Sequence, residues 1–145
     1  MNSIHVKKLS ANAILPTYGS AEAAGADLYA CLDQSVTIQP GETAWIPTGI
    51  ALEVPKGCAG LIYARSSMGV KRGLAPANKV GVIDSDYRGE VMVGLHNHSQ
   101  LPQTVESGER IAQLLITPVF TPGFTQVEEL DDTVRGTGGF GSTGK

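Results

Sequence analysis

The stretch "ARSSMG", Ala64 to Gly69, sets an arginine before two hydroxyls and a glycine. A guanidinium presents a planar fork of donors, the serine hydroxyls add more, and backbone N–H groups at a short helix start complete an anion-binding set. The same residues also read as a helix cap, with Ser66 or Ser67 at the N-cap and Arg65 on the surface. A second stretch, "GVIDSDYRGE", puts Asp84, Asp86 and Tyr87 after an apolar run. A hairpin turn accounts for Asp86 and Gly89. Alternation along the strand points Asp84 inward, where a carboxylate ionised at neutral pH could serve as general base toward a water. "AGADLYA" surrounds Asp27 with small residues, so that this carboxylate either caps a turn or stands near a hydrated divalent ion carried by phosphates. In "SGERIAQLL" the amide of Gln113 has apolar neighbours and either bonds nearby backbone or meets a ligand.

The segment "GTGGFGSTGK" satisfies two phosphate-binding spacings, G-x-G-x-x-G at Gly136, Gly138 and Gly141 and G-x-x-x-x-G-K from Gly139 to Lys145. Both spacings work by aiming backbone N–H groups at phosphate from a helix N-terminus that follows a strand. No apolar strand run leads directly into them, so neither spacing is expected to form a strand–helix nucleotide-binding unit. His96 and His98 share a strand face in "LHNHS", but two candidate ligands do not make a metal site, and strand pairing or solvation is the expected role.

The elements that must position these groups are short and β-like. Apolar or alternating runs occur at "SVTIQ", "TAWIPTGIALEV", "CAGLIYA", "KVGVID", "EVMVGLHN" and "IAQLLITPVF". Turn residues separate them at Pro40-Gly41, Pro55-Lys56-Gly57, Pro102 and Pro122-Gly123. Such spacing predicts an all-β sandwich or barrel, with at most one helical turn in "SSMGVKRG". "IAQLLITPVF" is too apolar for a half-solvated strand and is expected to be a central core strand or to be covered by another subunit.

The chain has 145 residues, enough for one domain that buries roughly two-thirds of its unfolded surface. Its net charge of −3 argues against non-specific nucleic-acid binding. No run approaches a membrane span and the start lacks the apolar core of a signal peptide, so a cytoplasmic location is expected. Cys31 and Cys58 lack metal-site spacing and are expected to be buried thiols in a reducing compartment, although the pair could form a disulfide.

In order, "AGADLYA", "ARSSMG", "NKVGVIDSDYRGE", "GERIAQLL" and "RGTGGFGSTG" resemble the five motifs of the homotrimeric dUTPase family, deoxyuridine 5′-triphosphate nucleotidohydrolase. The resemblance spans essentially the whole chain. It implies a jelly-roll-like β-barrel over residues 1–134 and a flexible tail over 135–145 that closes on the active site. It implies a dUTP diphosphatase that hydrolyses dUTP to dUMP and pyrophosphate, removing dUTP and supplying dUMP for thymidylate synthesis. By the same resemblance Asp84 would activate the water that attacks the α-phosphorus, and Asp27 would hold waters of a triphosphate-bound Mg²⁺. Arg65, Ser66, Ser67 and Gln113 would contact the phosphates. Asn78 and the backbone of Gly81, Val82 and Ile83 would pair with the uracil edge. Tyr87 would floor the deoxyribose, and Met92 would complete the nucleoside pocket. In the tail Phe140 would stack on uracil, Arg135, Ser142 and Thr143 would reach the phosphates, and Gly141 lies in the same substrate-binding stretch. Each active site would draw on three subunits of a trimer, with no nucleic-acid or membrane partner.

The alternatives are a dCTP deaminase-like enzyme and a non-catalytic nucleotide-binding protein of the same fold. The deaminases carry a glutamate in the strand after the hairpin, where this chain aligns Gly94. Simple binding would not require the carboxylate of Asp84.

Overall fold

The computed structural model describes residues 3–142. Its strands are β1 (Val6–Lys8), β2 (Thr17–Tyr18), β3 (Ala26–Tyr29), β4 (Val36–Ile38), β5 (Thr43–Pro47), β6 (Ile50–Leu52), β7 (Cys58–Tyr63), β8 (Leu74–Pro76), β9 (Gly81–Ile83), β10 (Met92–Asn97), β11 (Gln103–Val105) and β12 (Arg110–Pro118). A π-helical turn, Ser67–Arg72, is the one helical element among the described residues, and it falls where "SSMGVKRG" predicts a turn. All pairings are antiparallel. The strands form four sheets in the orders β1-β6, β5-β10-β8, β11-β4 and β2-β3-β12-β7-β9. The architecture is all-β and jelly-roll-like. The sheets pack on one another without closing into one continuous hydrogen-bonded barrel, because short strands broken by turns switch from sheet to sheet.

Alternation sets which side chains enter the core. Along β10, Val93, Leu95 and Asn97 are buried while Met92, Gly94 and His96 face outward. Leu28, Ile38, Ile46, Ile50, Leu74, Leu95 and Ile111 are fully buried, each contributing about 1.5–3 kcal/mol of hydrophobic transfer. Two polar side chains share this interior, Thr48, whose hydroxyl donates to the Val91 carbonyl at 2.6 Å, and Asn97. The Asn97 amide donates to the Ile38 and Leu101 carbonyls, both at 2.8 Å, and its Oδ1 accepts from the Ser99 backbone and hydroxyl. No buried side-chain polar atom among the described residues lacks a partner.

Strand β12 is the middle of the five-stranded sheet, between β3 and β7. Ile111, Ala112 and Leu114 are buried there, while Leu115, Ile116 and Thr117 are half-buried. A central position therefore accounts for the apolar run as far as Pro118. Beyond it Phe120, Phe124, Val127, Leu130 and Val134 are exposed. The expected boundary at 134/135 lies inside this uncovered stretch, whereas the last strand ends at Pro118. Cys31 and Cys58 are free and only partly buried. No helix among the described residues is long and apolar enough to cross a membrane.

Candidate active site

The sequence-predicted residues gather in three places. The first is an ionic cluster over the β3-β12-β7 rows. Antiparallel register aligns Asp27, Gln113 and Tyr63 across these strands. Asp27 is buried at 8% exposure, and a carboxylate there requires partners. Arg65, just after β7, donates from Nε to Asp27 Oδ1 at 2.7 Å, and Arg110 Nη1 lies 3.5 Å from Oδ2. Arg65 Nη1 also donates to Ser67 Oγ at 3.0 Å. Gln113 Nε2 donates to the Ala64 carbonyl at 2.9 Å, which fixes the backbone immediately before Arg65. Gly25 leaves the space for that amide: a Cβ there would stand 2.7 Å from Gln113 Oε1.

Two sequence readings are refined here. Ser66 occupies the N-cap position of the π-helical turn, but its side chain makes no capping bond and is exposed. Asp27 sits within a strand rather than at a turn, held by two guanidiniums. Arg110 is the member that sequence reasoning missed, since "GER" reads as an ordinary solvated turn before an apolar run.

The second place is a cleft of about 410 Å³ lined by Trp45, Ile62, Asn78, Gly81, Val82, Ile83, Tyr87, Val91 and Met92. It brings together Asn78, Gly81, Val82, Ile83, Tyr87 and Met92 of the residues expected at the nucleoside, and not Phe140. Strand β9 pairs with β7, Gly81 opposite Ile62 and Ile83 opposite Gly60, which sets the hairpin backbone at a sheet edge. The strand order β2-β3-β12-β7-β9 makes β9 terminal, so one side of its backbone is free to pair with a ligand. The loop that presents Asn78 is tight: Lys79 has φ 69° and Val80 donates to the Asn78 carbonyl at 2.8 Å. Tyr87 donates its hydroxyl to the Glu90 carbonyl at 2.8 Å. Its ring lies over Gly89, where a Cβ would stand 2.6 Å from the phenol Cζ. Trp45 was not anticipated as a site residue.

Asp84 follows β9 and is exposed, whereas Ile83 before it is buried. The inward expectation is therefore corrected. A residue period of two lets only one of two neighbours face the core, and the larger apolar Ile83 takes that side. His96 is bonded to Thr43 Oγ1 at 2.9 Å and His98 to the Gly69 carbonyl at 3.2 Å, the first a cross-strand pair. No cluster of three His, Cys, Asp or Glu suited to a metal occurs among the described residues.

The third place is the tail. Arg135 Nε donates to the Gly138 carbonyl at 2.7 Å, and Ser142 N donates to the Gly139 carbonyl at 3.0 Å. Phe140 has φ 50° and is fully exposed, with Gly141 beside it at φ 85°. These contacts are local, and among the described residues of the tail no hydrogen bond reaches the ionic cluster or the cleft. Thr143 lies outside the described residues.

The dUTPase family model matches residues 11–144. A deoxyuridine 5′-triphosphate nucleotidohydrolase of Desulfitobacterium hafniense is 50% identical over 99% of both chains. One from Janthinobacterium sp. is 52% identical over 90% of this chain and 89% of its own. The dUTPase of Staphylococcus bacteriophage 80alpha, solved with dUpNHpp, superposes with a TM-score of 0.90 at 32% identity over the full length of both chains. A variant of the dUTPase from phage phi11 of S. aureus, described with a structural Mg(II) ion, superposes at 0.80 with 28% identity over 90% of this chain and all of its own.

Proposed function

The chain belongs to the dUTPase family and is a dUTP nucleotidohydrolase, and we propose that it cleaves dUTP to dUMP and pyrophosphate with a water activated by Asp84. The observation that carries this reading is the adjacency of Asp84 to the cleft: it is exposed and directly follows Ile83, a residue of the cleft lining. An exposed carboxylate at the rim of a nucleoside cleft can accept a proton from water beside the α-phosphorus. Asn78 and the free edge of β9 supply donors and acceptors for the uracil edge, and Tyr87 and Met92 floor and close the pocket around the deoxyribose.

The ionic cluster supports a role at the phosphates. One carboxylate between two guanidiniums leaves net positive charge at a protein whose overall charge is −3. Arg65 and Ser67, with Ser66 exposed beside them, offer directed donors to developing charge on departing pyrophosphate. Gln113 holds the backbone from which they project.

The donor set fits a Mg²⁺ ion carried on the triphosphate rather than one caged by protein. Such an ion keeps several waters and needs only one or two carboxylates, and Asp27 retains acceptor capacity beyond its two arginine contacts. Bound there, the ion would neutralise phosphate charge. Asp27 would orient its water shell while keeping Arg65 in place.

The tail, residues 135–145, acts as a cover whose Phe140 stacks on the base while Arg135, Gly141 and Ser142 approach the nucleotide. The local hydrogen bonds of its described residues, with the exposed apolar arm before it, support delivery to another copy in a homotrimer that shares its active sites. The body over 1–134 would then be the folded domain. Two free thiols fit a cytoplasmic setting.

The discriminating experiment is Asp84→Asn, read for binding and turnover separately. Retained affinity for dUpNHpp with turnover lowered by roughly 10²–10⁴ supports the base role. Near-normal turnover would remove Asp84 from it.

A further inference from the structure

Trp45 is the single tryptophan of the chain and belongs to none of the five motifs. It sits on β5 with 70% of its surface exposed, although it lies within a strand. Its cross-strand partner is Gly94 on β10. The indole lies on that glycine: a Cβ built there would stand 3.4 and 3.5 Å from two of the ring carbons. The space above a bare α-carbon is what lets the ring lie along the sheet rather than stand into solvent.

Lying there, the indole reaches the nucleoside cleft, which it lines together with Asn78, Gly81, Tyr87 and Met92. It also lines a smaller recess of about 100 Å³ with Ile62, Pro76 and Gly94. β5 and β9 belong to different sheets, so the ring and the hairpin edge enter the cleft from separate supports. Open aromatic surface beside a hydrogen-bonding backbone edge is the pairing that recognises a heteroaromatic ring. The backbone reads the polar edge, and the aromatic supplies contact area with few rotatable bonds.

Resting on the reading of this cleft as the nucleoside site, we infer that Trp45, seated on Gly94, is a specificity-determining wall that packs against the pyrimidine and limits its size. The glycine is half of the device. A β-branched residue at 94 would extend methyls into the space the ring occupies and lift it off the sheet.

The chain's only indole reports on its own site. Wild-type protein is titrated with dUMP and with deoxyribose 5-phosphate, following tryptophan emission and calorimetric binding together. The expected result is a saturable emission change with dUMP that tracks the calorimetric isotherm, and none with the base-free sugar phosphate. Trp45→Ala then weakens dUMP binding about tenfold, the usual scale for one base–aromatic contact, and narrows the preference for dUMP over dTMP. Gly94→Val does the same with the indole still present, and both variants keep the wild-type melting profile. Unchanged dUMP affinity and unchanged dUMP:dTMP preference in both variants overturn the inference, whatever the emission does. Wild-type protein that binds no dUMP overturns the nucleoside reading of the cleft itself, and the inference with it, so the two failures are told apart.

Discussion

Arg65 Nε donates to Asp27 Oδ1 at 2.7 Å, and the second oxygen of the same carboxylate faces Arg110 at 3.5 Å. Side-chain exposure is 21% for Arg65 and 12% for Asp27, so the pair is only thinly screened. The carboxylate holds a cationic pair in position and leaves that pair undercompensated, which prepares the spot for an anion.

Removing that carboxylate tests the arrangement. Asp27→Ala leaves two guanidiniums facing each other and should lower folding stability by about 2 kcal/mol, below the cost of breaking a fully buried pair because Arg110 is half in water. Asp27→Asn, which keeps an acceptor, should lose less. Urea denaturation of both variants gives the comparison, and equal losses would mean that charge is irrelevant there.

Gly89 is glycine because the Tyr87 ring covers it. Gly89→Ala would force the phenol away, since no more than a flexible shift could relieve a Cβ 2.6 Å from Cζ. Roughly tenfold loss of kcat/KM for dUTP is expected, with a smaller loss for UTP, because the sugar floor is what separates them. Parallel kcat/KM measurements on the two nucleotides check this.

Asn97 predicts a purely structural loss. Asn97→Ala strands the Ile38 carbonyl in the interior, unpairs the part-buried Leu101 carbonyl and should cost about 2 kcal/mol. Denaturant melts should show the loss, while kcat of the folded fraction stays near wild type.

Deleting residues 135–145 should leave the melting profile nearly unchanged, because the described part of this segment makes only local contacts. Turnover should fall steeply. Thermal melts beside pyrophosphate-release assays check both halves, and an unfolded truncation would make the tail structural.

Alternation in "EVMVGLHN" and "CAGLIYA" was enough to read strands, since one face of each had to be buried. The same rule misdirected Asp84, because it fixes which neighbours alternate without saying which side Ile83 will claim. Trp45 was illegible for another reason. Its meaning depends on Gly94 lying opposite, and a register across a sequence separation of 49 is set by tertiary pairing. Arg110 likewise gains its role only when β12 pairs with β3 and brings it to Asp27. The composition shift at the glycine run marked a tail, and the exposure of Phe120 and Phe124 was not legible, because apolar residues after a core strand look like core until their contacts are known.

The central claim is tested most directly by pyrophosphate release with Mg²⁺ from dUTP, dCTP, UTP and dTTP in parallel, with products identified by chromatography and EDTA controls alongside. Release from dUTP alone, yielding dUMP and lost with EDTA, is the predicted result. Ammonia from dCTP, or binding of dUTP with no turnover, would contradict it.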